Sequence, residues 1–402
     1  MRVLLIEPVQ HKSWGANNQY IGLLKIAAYH KQAGDTVEYV QAYDFPSASP
    51  DMILVSSMFT YWYKCVWETV QFYKFFYPTV PLLLGGIYAT ICPDHAAKSG
   101  ADKVIAGEYQ GSRCLPPDPT VLPTKPQFVY TMTSYGCPNA CSYCASHVLY
   151  GPGIHQRPTE EVFGEFALQK QRGFSTIYVG DDNFLFNADK HAMPLLETIV
   201  RRGLKIRFEL PGGVQADHVT PEIAKLMYRA GFRRVSTSIE TVSQEVAQRM
   251  GRNKVSSTDA VTNAIRCFEQ AGFKRNDISV FFMIGLPYQS LDDILDTFAF
   301  LARLGVWIHP QRWTPIPNTR DFKGAGLNSW DLEDLHYKSF LAPGVTFSSA
   351  DLDLIYKAAR FINIGRRYTD FDLWGASPLH SRLRETLMRD ACPTTTAPAC
   401  IA

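Results

Sequence analysis

The stretch Gly136-Cys137-Pro138-Asn139-Ala140-Cys141-Ser142-Tyr143-Cys144 places three cysteines on one short segment, at the spacing C-x3-C-x2-C. Three thiolates on one loop can hold three irons of a 4Fe–4S cluster, which normally takes four cysteines. The fourth iron then stays open to another ligand. A structural zinc site is the alternative, but such sites usually have four protein ligands arranged as two pairs. No second cysteine pair follows at a useful distance.

The chain around this loop alternates between strand and helix patterns, which predicts an α/β fold with a parallel sheet. The predicted strands are 128–133, 176–180, 205–210, 234–239, 278–284 and 306–313. The predicted helices are 159–172, 188–202, 221–230, 256–271 and 291–304. Several helices are followed by glycine, a common helix stop. These six β/α units predict a partial (β/α)6 TIM-like barrel, with functional groups at the carboxyl ends of its strands.

The cysteine spacing, with Tyr143 just before Cys144, resembles the radical S-adenosylmethionine (SAM) superfamily. The resemblance implies that Cys137, Cys141 and Cys144 hold a 4Fe–4S cluster whose open iron binds SAM, and that Tyr143 lies against the adenine. It further implies reductive cleavage of SAM to a 5'-deoxyadenosyl radical, which removes hydrogen from an unactivated carbon. Such an enzyme needs a one-electron reductant of the flavodoxin or ferredoxin type. The sequence does not identify the organic substrate.

Segments at the ends of later predicted strands resemble the SAM-binding segments of the family. The run Asp181-Asp182-Asn183-Phe184 resembles a segment of subfamilies with an N-terminal cobalamin-binding domain, although Asp and Asn also favour helix N-caps. Asn318 stands in a family glycine position and is the next best residue for positive φ. The resemblance implies SAM-binding roles for Asp181, Asp182, Asn183, Ser238, Glu240, Arg252, Gly285 and Pro315. The match around Glu240 is partial, and Arg252 is equally well explained as a surface arginine.

Residues 1–111 carry a second β/α series, which predicts a small doubly wound parallel sheet. Its predicted strands are 2–6, 36–40, 52–56, 81–84 and 103–106, and its helices are 21–32, 62–76 and 90–98. Ligands of such sheets bind beyond the carboxyl ends of the strands. This region resembles the cobalamin-binding domain of cobalamin-dependent radical SAM enzymes, which implies Ser57, Thr60, Gly85 and Gly86 as cobalamin-binding residues.

Two departures leave the role of this front domain open. The Asp-x-His-x-x-Gly segment that supplies an axial histidine is absent, and the connection to the cysteine loop is short and proline-rich. Cobalamin binding and a vestigial Rossmann-like module are therefore both retained as hypotheses.

The domain organisation follows from these patterns. We expect a front domain at 1–111, a proline-rich linker at 112–127, the barrel at 128–325 and a helical extension with a flexible tail at 326–402. Helices are predicted at 332–340, 352–367 and 379–389. Cys392 and Cys400 in the tail are too few for an auxiliary cluster and are interpreted as scattered residues.

Composition narrows the classes of function. The 402 residues are 46% hydrophobic with a net charge of +2, which does not indicate a nucleic-acid surface. No apolar run reaches membrane-spanning length. The nine cysteines argue against a secreted disulfide framework and favour a reducing cytoplasm.

The leading hypothesis is a radical SAM enzyme that carries out cobalamin-dependent methyl transfer. Radical rearrangement, cyclisation or carbon–carbon bond formation without cobalamin is the first alternative. A structural iron–sulfur or zinc protein without catalysis is the non-enzyme alternative.

Overall fold

The first sheet of the molecule is parallel, with strand order β2-β1-β3-β4-β5. The computed structural model describes residues 1–8, 19–251 and 257–365, together with Leu379, Arg382, Leu383 and Glu385. The strands of this sheet are β1 (Arg2–Glu7), β2 (Thr36–Gln41), β3 (Met52–Ser57), β4 (Leu82–Gly86) and β5 (Lys103–Val104). Its helices are α1 (Ile21–Gln32), α2 (Tyr63–Phe76), α3 (Ile87–Ile91) and α4 (Pro93–Ala96). The predicted doubly wound topology is confirmed, and β1 and β3 are buried apolar runs typical of central parallel strands.

The second sheet has six parallel strands in the order β13-β12-β11-β10-β9-β6 and forms the predicted partial barrel. Its strands are β6 (Val129–Thr131), β9 (Thr176–Val179), β10 (Arg207–Gln215), β11 (Phe232–Glu240), β12 (Ile278–Ile284) and β13 (Trp307–Arg312). A separate two-stranded sheet is formed by β7 (Ser134–Cys137) and β8 (Gly153–Gln156). The helices are α5 (Ser146–Tyr150), α6 (Thr159–Gln171), α7 (Ala192–Arg201), α8 (Pro221–Ala230), α9 (Gln244–Arg249), α10 (Thr258–Ala271), α11 (Leu291–Leu304), α12 (Arg320–Gly324) and α13 (Ser349–Asn363).

The barrel core lies between the sheet and its amphipathic helices. Phe208, Phe232, Phe282 and Phe298 are fully buried in one apolar cluster there. Helices α8, α10 and α11 end at Gly231, Gly272 and Gly305, each in the left-handed conformation that the sequence predicts for a helix stop. No helix in the described ranges is both long and apolar enough to cross a membrane.

The two sheets are joined by shared packing as well as by the chain. Leu4 and Ile53 of the first sheet belong to the same apolar cluster as Met283 and Trp313 of the barrel. The side-chain amide of Gln19, just before α1, donates to the carbonyl of Phe128 and accepts from the N–H of Tyr130 at 3.3 Å. The front sheet and the barrel are therefore bonded along the outer edge of β6.

The antiparallel pair β7–β8 was not predicted. Ser134 pairs with Gln156 and Cys137 with Gly153, so the cysteine loop and α5 form the connection of a hairpin. This hairpin places Cys137 at the end of a strand.

Two predicted helices are wrong for identifiable reasons. The predicted helix 90–98 is divided into α3, α4 and a short 3-10 turn, because Pro93 has no N–H to continue α3. The predicted helix 332–340 is only a 3-10 turn at Leu332–Leu335. Arg312 donates to the carbonyls of Lys338 and Phe340, and these contacts hold the segment after the turn against β13.

The C-terminal predictions are only partly covered by the structure. The predicted helix 352–367 is observed as α13. Most of 379–389, and both Cys392 and Cys400, lie outside the described residues.

A buried ion pair fixes the junction between β6, β8 and the linker. Arg157 donates to Glu165 at 2.7 Å and to the carbonyls of Met132 and Cys114 at 2.8 and 2.9 Å. Both charged side chains are at most 1% exposed.

We predict that Arg157→Met lowers the free energy of unfolding by about 3–5 kcal/mol, because it leaves the Glu165 carboxylate buried without its cation. Urea unfolding followed by tryptophan fluorescence measures this loss.

The exposed Arg229 provides the matched control, because Arg229→Met removes an arginine that lies on the surface. The double variant Arg157→Met/Glu165→Leu should recover part of the loss, since it removes both buried charges. Equal stability of Arg157→Met and Arg229→Met would contradict the assigned role of the pair.

Candidate functional site

The cysteine loop starts where β7 ends. Gly136 has a φ of +81°, and a Cβ there would lie 2.8 Å from the carbonyl oxygen of Gly153, so only glycine fits the turn into the loop. Cys141 is buried, whereas Cys137 and Cys144 are partly exposed. Although Cys144 as a whole residue is partly exposed, burial of its thiol group raises the pKa to about 12. Metal binding by this thiol must therefore displace a proton.

Within the described ranges, no three His, Cys, Asp or Glu side chains are grouped so that they could hold one metal ion. A cubane cluster makes a different demand, because each thiolate binds its own iron. The cluster assignment stays the prediction made from the C-x3-C-x2-C spacing.

The middle of the loop is fixed through Ser142. Its N–H donates to the carbonyl of Met250 at 2.9 Å, and its hydroxyl donates to the Asp321 carboxylate at 2.8 Å. The N–H of Asp321 donates back to the Ser142 carbonyl at 3.1 Å, and the hydroxyl of Tyr288 donates to the same carboxylate at 3.0 Å. Burial raises the pKa of Asp321. Sequence analysis identified none of these partners, since they are distant in the chain and follow no shared pattern.

The first half of the loop has two further supports. Arg320 donates to the carbonyl of Ala140 at 2.7 Å, and Asn139 donates to the side-chain oxygen of Gln215 at 3.2 Å. Gln215 is available because β10 continues past its predicted end at residue 210, through a register shift between Leu210 and Val214.

Asp182 holds the two flanks of the loop together. Its carboxylate accepts from the N–H of Gly136 and from the hydroxyl of Ser146, each at 3.1 Å. The predicted SAM-binding residue Asp182 thus lies beside the cysteines.

Asn183 lies against the first cysteine. Its amide nitrogen is 3.7 Å from the sulfur of Cys137, and its buried side-chain oxygen has no hydrogen-bond partner in the structure. A buried acceptor without a partner costs free energy unless a ligand supplies a donor. The ammonium group of SAM is such a donor, so the placement of Asn183 fits the SAM-binding role expected for it.

Asp181 lies deeper, beneath the loop. It accepts from the N–H of Thr133 at 2.6 Å, from the Thr133 hydroxyl and from the Ser134 hydroxyl at 2.6 Å, and it is fully buried. Burial raises its pKa to about 6. These contacts indicate that Asp181 supports the connection between β6 and β7, and its SAM-binding role stays a prediction.

The other expected SAM-binding residues follow the carboxyl ends of neighbouring strands. Ser238 and Glu240 end β11, Gly285 follows β12, and Pro315 follows β13. Glu240 is buried with a φ of +62°, at a register shift between β11 and β12. Such backbone strain in a non-glycine residue is concentrated at functional sites.

The four remaining predictions, for Asn318, Gly285, Arg252 and Tyr143, have different outcomes. Asn318 has a φ of +70°, as the sequence predicts. A Cβ on Gly285 would lie 3.2 Å from a methyl carbon of Leu352, so the structure brings α13 close to it, and the adenine contact stays a prediction. Arg252 lies outside the described residues. Tyr143 is partly buried against the apolar cluster that joins the sheets.

A cleft of about 250 Å3 lies at the carboxyl ends of β3, β4 and β5. Ser57, Gly85 and Gly86 line it from the front sheet, and Tyr135 and Tyr150 line it from the barrel side. Thr60 is buried at the start of a 3-10 turn and does not line the cleft, so the geometry gives no support to its expected ligand role.

Gly86 is required by the backbone of this cleft. Gly86 has a φ of +97°, and a Cβ there would lie 2.2 Å from the carbonyl oxygen of Ser57. The Ser57 hydroxyl donates to the Gly85 carbonyl at 2.6 Å and accepts from the N–H of Ala89 at 3.1 Å. Ser57 therefore shapes the cleft.

Comparison with known families identifies the barrel. Residues 131–301 match the model of the Radical SAM superfamily. An uncharacterised methyltransferase of Pyrococcus horikoshii is 28% identical over 206 residues, covering 50% of this chain and 43% of that protein. A bacteriochlorophyllide d C-12(1)-methyltransferase of Chlorobaculum tepidum is 23% identical over 301 residues, covering 64% of each. The chain thus spans less than two thirds of the length of these relatives.

Solved structures share the fold of both sheets. The radical SAM methyltransferase TsrM from Kitasatospora setae, with cobalamin and a 4Fe–4S cluster bound, has a TM-score of 0.65 and 14% identity over 87% of this chain and 84% of that one. TsrM with tryptophan and a SAM analogue has a TM-score of 0.64 and 16% identity over 81% and 75%.

The contacts of Asp321 generate a prediction about the loop. Asp321→Ala removes the carboxylate that holds Ser142 and Tyr288, so we expect lower iron and sulfide content per chain after anaerobic reconstitution. In the metal-free chain, alkylation of Cys141 should accelerate several-fold, because the loop that buries this thiol is released. Asp296→Ala, on the exposed face of α11, is the control. Wild-type metal content and alkylation rate in Asp321→Ala would refute the role of this carboxylate.

The raised pKa of Asp181 predicts that the free energy of unfolding depends on pH. Folding moves this pKa from 3.8 to about 6, so between these values the native state holds more protons than the unfolded state. The free energy of unfolding should therefore fall as pH rises through this window, by up to about 3 kcal/mol. Asp181→Asn should lose this part of the dependence, and Asp189→Asn, at an exposed aspartate, should keep it. Unfolding curves at several pH values between 4 and 7 measure the difference, and parallel profiles for all three proteins would contradict the assignment.

Proposed function

Residues 131–301 belong to the Radical SAM superfamily, and from that premise we propose that this chain is a cobalamin-dependent radical SAM methyltransferase. Its proposed reaction transfers a methyl group to an unactivated carbon of an organic substrate. The named methyltransferases among its relatives support methyl transfer.

One observation carries this proposal. Tyr135 lines the front cleft, and Cys137, two residues further along the same strand, starts the cysteine loop. Two residues of chain span at most about 7 Å, so a group in the cleft and a cluster on the loop would be close neighbours. This arrangement suits a reaction that needs two cofactors at one substrate.

The loop residues fit a 4Fe–4S cluster with SAM. The cluster, when bound, supplies the electron that cleaves SAM. Cys137, Cys141 and Cys144 would hold it, and the buried oxygen of Asn183 beside Cys137 offers an acceptor for the SAM ammonium. The supports at Ser142 and Asp182 keep the thiols in position. The partial exposure of Cys137 and Cys144 suits electron delivery from a flavodoxin or ferredoxin type of reductant.

The cleft residues fit a corrinoid, the flat macrocycle of cobalamin, which would carry the methyl group. A Cβ on Gly22 or Gly107 would meet no atom within 4 Å, so these lining glycines leave open space for a flat ring. A corrinoid is larger than the enclosed volume and would extend into the open mouth. No histidine is among the described residues that line the cleft, in keeping with the missing Asp-x-His-x-x-Gly segment. Apolar lining residues such as Met132 and Leu149 would keep water from the ring.

The test uses anaerobically reconstituted protein incubated with SAM, dithionite and hydroxocobalamin and then desalted. We expect one retained cobalamin per chain by ultraviolet–visible spectroscopy, with both S-adenosylhomocysteine and 5'-deoxyadenosine formed. Deoxyadenosine without retained cobalamin would instead favour rearrangement, cyclisation or carbon–carbon bond formation. Metal without either SAM product would favour a structural iron–sulfur protein.

The cysteines provide the matched variants. Cys137→Ala, Cys141→Ala and Cys144→Ala should each abolish 5'-deoxyadenosine formation, because a cluster held by two thiolates no longer positions SAM. Cys267→Ala, at a buried cysteine of the barrel core, should retain it. Full activity in all three loop variants would exclude the proposed chemistry.

A further inference from the structure

A buried lysine lines the front cleft. Lys25 of α1 is 4% exposed, and its ammonium donates to the carbonyl of Arg113 and to the hydroxyl of Tyr135. Among the described residues it forms no ion pair, and the undescribed segment 9–18 before α1 contains no acidic residue. Burial lowers the pKa of Lys25 to about 8, so the side chain still carries its charge at neutral pH.

The surroundings of Lys25 are cationic. Arg113 also lines the cleft, with its guanidinium 5.7 Å from the ring centres of both Tyr135 and Tyr150. Glu108 is the one carboxylate among the described lining residues, and its Oε2 lies 3.6 Å from Nε of Arg113. The buried Arg157–Glu165 pair also acts on Lys25, but its two charges cancel. Lys25 and Arg113 against Glu108 therefore leave this end of the cleft with a net positive charge.

The ammonium of Lys25 can still bind a ligand. A lysine has three N–H donors, and the structure uses two of them. A desolvated cation that makes no direct ion pair costs free energy, which an anion in the cleft would offset. The adjacent N-terminus of α1 has no side-chain cap and no acidic residue in its first turn, which adds to the attraction for an anion.

We propose that Lys25, assisted by Arg113, binds the phosphodiester of the cobalamin nucleotide loop in the front cleft. This inference rests on the proposed function. The peripheral side chains of the corrin ring are neutral amides, so the phosphodiester is the anionic group that the buried ammonium would recognise. Lys25 thereby selects a complete cobalamin over a corrinoid that lacks the nucleotide loop.

The test compares two corrinoids on reconstituted protein. Hydroxocobalamin carries the phosphodiester, and dicyanocobinamide lacks the whole nucleotide loop. Lys25→Met keeps most of the side-chain length and removes the charge. We expect it to weaken hydroxocobalamin binding about 10- to 100-fold, the usual effect of losing a charge-assisted hydrogen bond, and to change cobinamide binding less than about twofold. Dissociation constants come from spectroscopic titration.

Two controls separate this effect from general damage. Lys98→Met removes an exposed front-domain lysine outside the cleft and should change neither affinity. Melting curves from circular dichroism check that Lys25→Met is folded. A second measurement needs no variant, because inorganic phosphate at constant ionic strength should compete with hydroxocobalamin and not with cobinamide on the wild-type protein.

The outcomes distinguish this inference from the proposed function. Equal weakening of both corrinoids in Lys25→Met, or no weakening of either, would overturn the role of Lys25. The proposed function would stand, because the wild-type protein would still bind cobalamin. Failure of phosphate to compete would overturn it as well. A wild-type protein that retains neither corrinoid would remove cobalamin from the proposed function, and the Lys25 inference with it.

Discussion

The hydrogen bonds between the cysteine loop and the carboxyl ends of the barrel strands are the interactions on which the site depends. A three-cysteine loop is short and has no regular structure between Cys137 and Cys144, so neighbouring elements must set its shape. Asp182 joins its two flanks, and Asp321 holds its centre. Both carboxylates follow barrel strands, Asp182 after β9 and Asp321 after β13, so the loop takes its shape from elements that the sheet positions.

Much of this architecture follows from local sequence. The cysteine spacing, the glycines that stop helices, and Asn318 at a positive φ are features of a few neighbouring residues, and the fold classes of both sheets follow from strand and helix periodicity. The supports of the loop are different in kind. Ser142 and Asp321 are 179 positions apart, and nothing near Asp321 marks it as a partner of a cysteine loop. Long-range hydrogen bonds of this type have no periodic signal in the sequence.

The errors in secondary structure have several origins. The segment 332–340 has residues that a helix tolerates, but its 3-10 turn stops at Leu335, and Arg312 of β13 binds the carbonyls of Lys338 and Phe340 beyond it. The hairpin β7–β8 was missed because its two short strands flank a functional loop and carry no alternating pattern long enough to detect. The front cleft was predicted only in part. Gly85 and Gly86 were identified from the sequence, whereas Tyr135 and Tyr150, which line the cleft from the barrel side, were not.

The position of Gln19 has a consequence for the behaviour of the molecule in a crowded solution. The strand β6 is the edge of the six-stranded sheet, and an edge presents backbone donors and acceptors that can template a strand from another molecule. The side-chain amide of Gln19 offers Phe128 and Tyr130 the same donor and acceptor that an added strand would. When the two sheets are assembled, Gln19 of the front domain therefore occupies two backbone groups that an added strand would need at this edge.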